Sequence, residues 1–125
     1  MSFKIALSEN GTHLRVRVDE PMSRTLATEI AEALTKLAEK HGVKNYLYDV
    51  RNAPNVESVI DNYTFAYEDM SKMEIDREAN VAILIREDDT SHDFVETALR
   101  NAGYNVRTFD DEAAALAWLG QTEPS

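Results

Sequence analysis

Asn80-Val81-Ala82-Ile83-Leu84-Ile85-Arg86 is a continuous apolar run between polar ends. It shows no alternation, which is how a parallel strand buried on both faces reads. The sequence on each side supplies helical cover for such a strand. Downstream, Thr90 and Asp93 stand at capping-box spacing. Phe94, Val95, Ala98, Leu99 and Ala102 then share one side of a helix that ends at Gly103. Asn105-Val106-Arg107-Thr108-Phe109 reads as a short last strand. Asp110 or Asp111 caps a final helix carrying Leu116, Trp118 and Leu119 and stopping at Gly120, and the polar tail 121–125 frays.

Upstream of the run, Tyr46-Leu47-Tyr48-Asp49-Val50 reads as a strand, and Pro54 breaks the chain after it. A helix is predicted over 55–72. Another is predicted over 23–41, where Leu26, Ile30, Leu34, Leu37 and His41 recur at spacings of three and four, with Gly42 just past its end. Before it, Phe3, Ile5 and Leu7 alternate with polar residues, as do Leu14, Val16 and Val18 with Arg15 and Arg17. Period two marks half-buried strands at about 3–8 and 13–18. Asn10-Gly11 between them signals an antiparallel hairpin.

The resulting order is β-β-α-β-α-β-α-β-α. This is an α/β fold, with a mostly parallel sheet, an N-terminal antiparallel hairpin and four helices. A single domain over residues 1–120 accounts for all of it. Functional groups in such sheets gather beyond the carboxyl ends of the strands. Here those segments are 49–57, 87–91 and 110–112.

Composition narrows the function classes. The chain has 125 residues, 43% hydrophobic and 29% charged, with 23 acidic and 13 basic side chains for a net charge of −10. That balance argues against nucleic acid and against an anionic membrane surface as partners, and favours solubility or a basic partner. With no cysteine, disulfides, thiolate catalysis and cysteine-ligated metals are excluded. The N-terminus is too short and polar for a signal peptide, and no run approaches a membrane span. A cytoplasmic location is the expectation.

On a wheel at about 100° per residue, the second helix divides cleanly. Val56, Val59, Ile60, Tyr63, Ala66, Tyr67 and Met70 form one arc. Glu57, Ser58, Asp61, Asn62, Phe65, Glu68, Asp69 and Lys72 form the other, which places Phe65 at the centre of a polar face. An exposed phenylalanine ringed by charge suggests a docking surface. Ser58 lies in the first turn of this helix, where a phosphate would meet free N–H groups and the positive end of the helix dipole. Phosphorylation there would switch an interface centred on Phe65.

The layout resembles the STAS domain, and more narrowly the stand-alone SpoIIAA-like STAS/SEC14-type proteins. The resemblance covers about residues 1–120. It is carried by the element order, by Tyr48-Asp49-Val50-Arg51 closing the third strand, and by Val106-Arg107-Thr108-Phe109-Asp110 leading into Glu112-Ala113-Ala114-Ala115-Leu116-Ala117-Trp118-Leu119. It implies a non-enzymatic regulatory or protein-interaction module like the anti-sigma-factor antagonists. Asp49, Arg51, Asn52, Ser58, Asp61 and Phe65 would form its working surface. Glu57-Ser58 stands where the antagonists carry the Asp-Ser of an Asp-Ser-Ser-Gly-like motif, and Val59-Ile60 replaces the second Ser and the Gly.

Other chemistry finds little support. His13, His41 and His92 have no ligand spacing, so no metal is expected. Glu87-Asp88-Asp89, Asp110-Asp111 and Asp49 could converge on Mg²⁺ for phosphoryl transfer, but more simply they cap helices and face solvent. The glycines mark turns and helix ends, so no phosphate loop and no cofactor is expected. Tyr46, Tyr48, Tyr63 and Tyr67 could line a pocket for a small apolar ligand such as a lipid, the SEC14-like alternative. A homodimer through an exposed helix is left open.

Overall fold

The computed structural model describes residues 3–9, 11–55, 64–70 and 78–122. Five strands form one sheet in the order β1-β2-β3-β4-β5, the order of the chain itself. They are β1 (Phe3–Leu7), β2 (Leu14–Val18), β3 (Asn45–Asp49), β4 (Asn80–Leu84) and β5 (Asn105–Phe109). β1 and β2 pair antiparallel, with Leu7 opposite Leu14. The Ser8 N–H donates to the His13 carbonyl at 2.9 Å. This register puts the reversal between Leu7 and Leu14, where Gly11 has φ of 72°. The other neighbours pair in parallel.

Three α-helices lie among the described residues: α1 (Arg24–His41), α2 (Asp93–Asn101) and α3 (Glu112–Thr122). Ser23 caps α1 by accepting from the Leu26 N–H at 3.1 Å, and Gly42 ends it at φ of 66°. α2 starts at Asp93 rather than at a Thr90 cap, with His92 in the preceding position and no side-chain cap. Asp111 caps α3 by accepting from the Ala113 N–H at 3.2 Å. That helix runs past Gly120 to Thr122.

Stepping strand by strand in one direction with right-handed crossovers puts α1 and α2 on the same face. The main core sits there. Val16, Val18 and Ile83 of the sheet pack with Ile30 and Leu34 of α1 and Leu99 of α2. α3 follows the last strand, so no crossover rule binds it. It covers the opposite face, where Ala115 and Leu119 meet Leu47, Ala82 and Leu84. Period-two alternation along β3 and β4 serves the two cores at once, which is why neither strand alternates in polarity.

Much of the second predicted helix, including Ser58, Asp61 and Tyr63, lies outside the described residues. Its described end, Phe65–Asp69, is a π-helical turn closed by the Met70 N–H donating to the Phe65 carbonyl. This corrects the wheel. A spacing of five residues is about 140° off-face in an α-helix, but a π-turn brings both ends to one side. Phe65, Ala66 and Met70 accordingly share the buried side, and Tyr67 points out at 46% exposure. Phe65, expected on the surface, is 8% exposed and belongs to the main core. A two-pronged ion pair anchors the turn to α1: Arg24 donates to Asp69 through Nε at 2.7 Å and Nη2 at 3.0 Å.

Candidate functional site

The carboxyl end of β3 gathers an ion-pair cluster. Asp49, at the last strand position, is 6% exposed. Its carboxylate accepts from Arg51 Nε at 2.9 Å and Nη2 at 2.8 Å, a planar fork well matched to a carboxylate. Arg15, from β2, donates through Nη2 to Asp49 at 3.2 Å and to Glu112 at 2.8 Å. Glu112 opens α3, so the cluster links β2, β3, the loop after β3 and the second-face helix. Burial pushes the Asp49 carboxyl up, but the hydrogen bonds and charge of Arg51 and Arg15 outweigh it and hold it below the ordinary range. The hydrogen bond from Arg15 holds Glu112 low in the same way.

The loops beyond β3 and β4 lock together beside this cluster. The Asn55 N–H donates to Ser91 Oγ at 2.9 Å. Met22 N–H reaches back to the Pro54 carbonyl at 2.7 Å. His92, 2% exposed, places Nε2 2.9 Å from the Ala53 carbonyl. A carbonyl only accepts, so Nε2 carries the proton. Burial lowers the His92 pKa against the opposing pull of the Ala53 bond, Asp89 and Asp93, so the ring stays neutral. Two positions on, Phe94 is 54% exposed in the first turn of α2. Sequence periodicity had put it on the apolar side with Val95. Ala98 and Leu99 are buried, while Phe94, on their side of the helix but in its first turn, is exposed.

A pH effect follows from His92. The unfolded chain takes up this proton near pH 6.5, whereas the folded ring takes it only at lower pH. Stability is therefore complete above the unfolded value and falls as pH drops below it, with a slope of at most about 1.4 kcal/mol per pH unit. Urea midpoints between pH 7 and 5 should show the fall in wild type. The slope should flatten in His92→Phe.

Behind this edge, on the main-core side, lies an apolar cavity of about 100 Å³. Tyr46 and Tyr48 line it together with Phe65, His92, Val95 and Leu99. Burial, with Tyr46 alongside, pushes the Tyr48 phenol far above its ordinary value. Of the predicted tyrosine pocket, Tyr46 and Tyr48 are in place and Tyr63 lies outside the described residues. Tyr67 is a correction, because the π-turn faces it outward and it does not line the cavity.

Of the predicted surface residues, the structure brings Asp49 and Arg51 together. Asn52 sits exposed beside them, accepting from Arg86 Nη2 at 3.5 Å. Phe65 is separated from them, on the cavity side. Arg15 and Glu112 were missed. The signal for Arg15 was present: an arginine facing the sheet's second side needs an acid if a helix covers that side. Among the described residues, no three His, Asp or Glu side chains converge as metal ligands. No helix there is long and apolar enough to cross a membrane.

No protein-family model matches the chain, and no curated protein matches it in sequence. In shape it is similar to the crystal structure of an uncharacterised DUF3478-family protein from Shewanella loihica PV-4, described as having a SpoIIAA-like fold. The two agree with a TM-score of 0.54 at 18% sequence identity, over 94% of this chain and 91% of that one. At such low identity the likeness bears on the fold alone. Element order, sheet pairing and this likeness agree: the chain adopts the SpoIIAA-like, STAS-type α/β fold.

Proposed function

We propose that this protein is a non-enzymatic regulatory module that docks a protein partner on the carboxyl edge of its sheet. One observation carries the reading: Phe94 stands exposed beside loops that are pinned to one another. A rigid apolar anchor ringed by charge is what a small docking surface requires. In this reading the expected apolar spot moves from Phe65 to Phe94, and Asp49, Arg51 and Asn52 are taken as the polar part of the same edge. A net charge of −10 favours a partner with a basic rim, which also speeds encounter. In this reading Ser58 and Asp61 follow the docking loop in the chain. A phosphate on Ser58 adds roughly −1.5 to −2 charges near it and acts as a gate.

The test uses a partner captured by wild type, identified, purified and titrated back against variants. Phe94→Ala should weaken that complex at least tenfold, on the order of 1.4 kcal/mol, with no change in thermal midpoint. Ser58→Asp should weaken it in the same direction. Unchanged affinity in Phe94→Ala would end the reading.

A further inference from the structure

We infer that the open edge of β1 pairs antiparallel with β1 of a second copy of this chain, about a twofold axis at Ile5, and so joins two sheets into one. The inference does not rest on the docking edge proposed above.

The two edges of the sheet differ. At β5, the outward N–H of Thr108 donates to Oε2 of Glu96, from α2, at 2.7 Å. At β1, no loop or side chain among the described residues bonds the outer side of the strand. The groups left open there follow from the hairpin. Ser8 and His13 form a hydrogen-bonded pair, and such pairs alternate with non-bonded ones along an antiparallel ladder. In the observed register the next bonded pairs are Ala6 with Arg15 and Lys4 with Arg17. Phe3, Ile5 and Leu7 therefore turn their N–H and C=O groups outward. An unpaired row of this kind is a ready template for another strand.

Self-complementarity names the occupant. With Ile5 opposite Ile5 of the second copy, Phe3 falls opposite Leu7 and Leu7 opposite Phe3. Every outward group then meets an outward group, and each pair exchanges both its bonds. The side chains agree. Phe3, Ile5 and Leu7 share the main-core face by period two. Phe3 and Ile5 already pack against that core, whereas Leu7, at the end of the strand, is 39% exposed. Phe3 of the second copy covers it. On the other face Lys4, which is exposed, meets Ala6 rather than its own copy. A ladder centred on Lys4 would set two ammonium groups face to face, which is unfavourable. One centred on Ala6 would carry Phe3 past the end of the partner strand. The single charge on β1 thus selects the register. A seam of five residues on each side, against about 20–30 in a standard interface, makes the dimer weak, with Kd on the order of 100 μM.

Sedimentation of the full chain from about 10 μM to about 1 mM should show a monomer–dimer equilibrium in that range. Hydrogen exchange followed by NMR locates the seam. The N–H groups of Ile5 and Leu7 should gain protection with concentration, while those of Lys4 and Ala6, already bonded within the hairpin, stay unchanged. Ala6→Glu places a carboxylate opposite Lys4 twice over and should tighten the dimer about fivefold, and Ala6→Lys should loosen it by a similar factor. Ile5→Pro removes an N–H that the hairpin does not use, which an edge strand tolerates, and should abolish association. Should that variant unfold, the two Ala6 variants, made at an exposed side chain, still decide. A chain that stays monomeric throughout the range, a dimer without added protection at Ile5 and Leu7, or weaker association in Ala6→Glu would each overturn the assignment.

Discussion

Replacing both Arg15 and Arg51 by Met should lower stability by about 3 kcal/mol and reverse the response to acid. Asp49 is 6% exposed and satisfied by those two guanidiniums. Without them a carboxylate stays inside the protein with no cation. The figure is set at the low end for a broken buried pair because both arginines are partly exposed, at 34% and 44% of their side chains. Water can reach part of the gap. The acid response gives the sharper reading. In wild type the Asp49 carboxyl is held low, so its contribution is full above the ordinary carboxylate pKa and is lost as pH falls through the lower folded value. In the double variant burial acts alone and the folded pKa rises. Its penalty is then present near neutrality and relieved as acid protonates Asp49. Chemical denaturation should show wild type keeping the Asp49 contribution down to about pH 4 and losing it below, while the variant regains some stability between about pH 7 and 4. Adding Asp49→Leu should restore most of the loss, because replacing every partner of a buried ion cluster costs far less than replacing some. A double variant as stable as wild type at pH 7 would show that Asp49 is solvated after all.

Asn80→Ala should be nearly as damaging, at about 2–3 kcal/mol. Asn45, Asn80 and Asn105 open β3, β4 and β5 and stand in register across the sheet. Their amides form a chain: Asn105 Nδ2 donates to Asn80 Oδ1 at 2.6 Å, and Asn80 Nδ2 donates to Asn45 Oδ1 at 2.9 Å. Asn45 Nδ2 continues the chain to the Thr12 carbonyl at 3.4 Å, tying in the hairpin. Removing the middle rung strands the buried Asn45 oxygen and leaves a void. A triple change of all three to Val should cost less than the single one, since no buried amide is then left unmatched. Thermal and urea unfolding of both variants would check this order. A triple variant worse than Asn80→Ala would contradict the ladder's proposed role.

These two features show what the sequence could and could not reveal. Element order, hairpin, α1 with its Ser23 and Gly42 caps, and all five strands were readable, because period, turn chemistry and capping are local. The ladder and the ion cluster were not. Each is made of residues far apart in the chain that meet only through strand register. Each asparagine reads alone as an unremarkable strand opener, and Glu112 reads alone as helix-start decoration. Phe65 and Phe94 changed places for another reason. The Phe65 assignment assumed a regular α-helix at about 3.6 residues per turn. A π-turn rotated Phe65 inward. At Phe94 the periodicity was right about the side, but the residue sits in the first turn of α2 and is 54% exposed there. Asp49 and Arg51 were found because the carboxyl ends of parallel strands are a general gathering place.

Identity between strand order and chain order bears on how the molecule is made. Each strand's partner on the sheet has already left the ribosome when that strand emerges. The hairpin can therefore template β3, β3 can template β4, and β4 can template β5, each pairing closing only the one crossover between neighbouring strands. The second face is different. Leu47 and Leu84 wait for Leu119, which is synthesised after both. During that interval the nascent sheet presents a bare apolar strip that chaperones or a neighbouring chain could seize. Truncation before Glu112 would make that interval permanent. α3 is therefore the piece whose arrival ends the protein's period of aggregation risk.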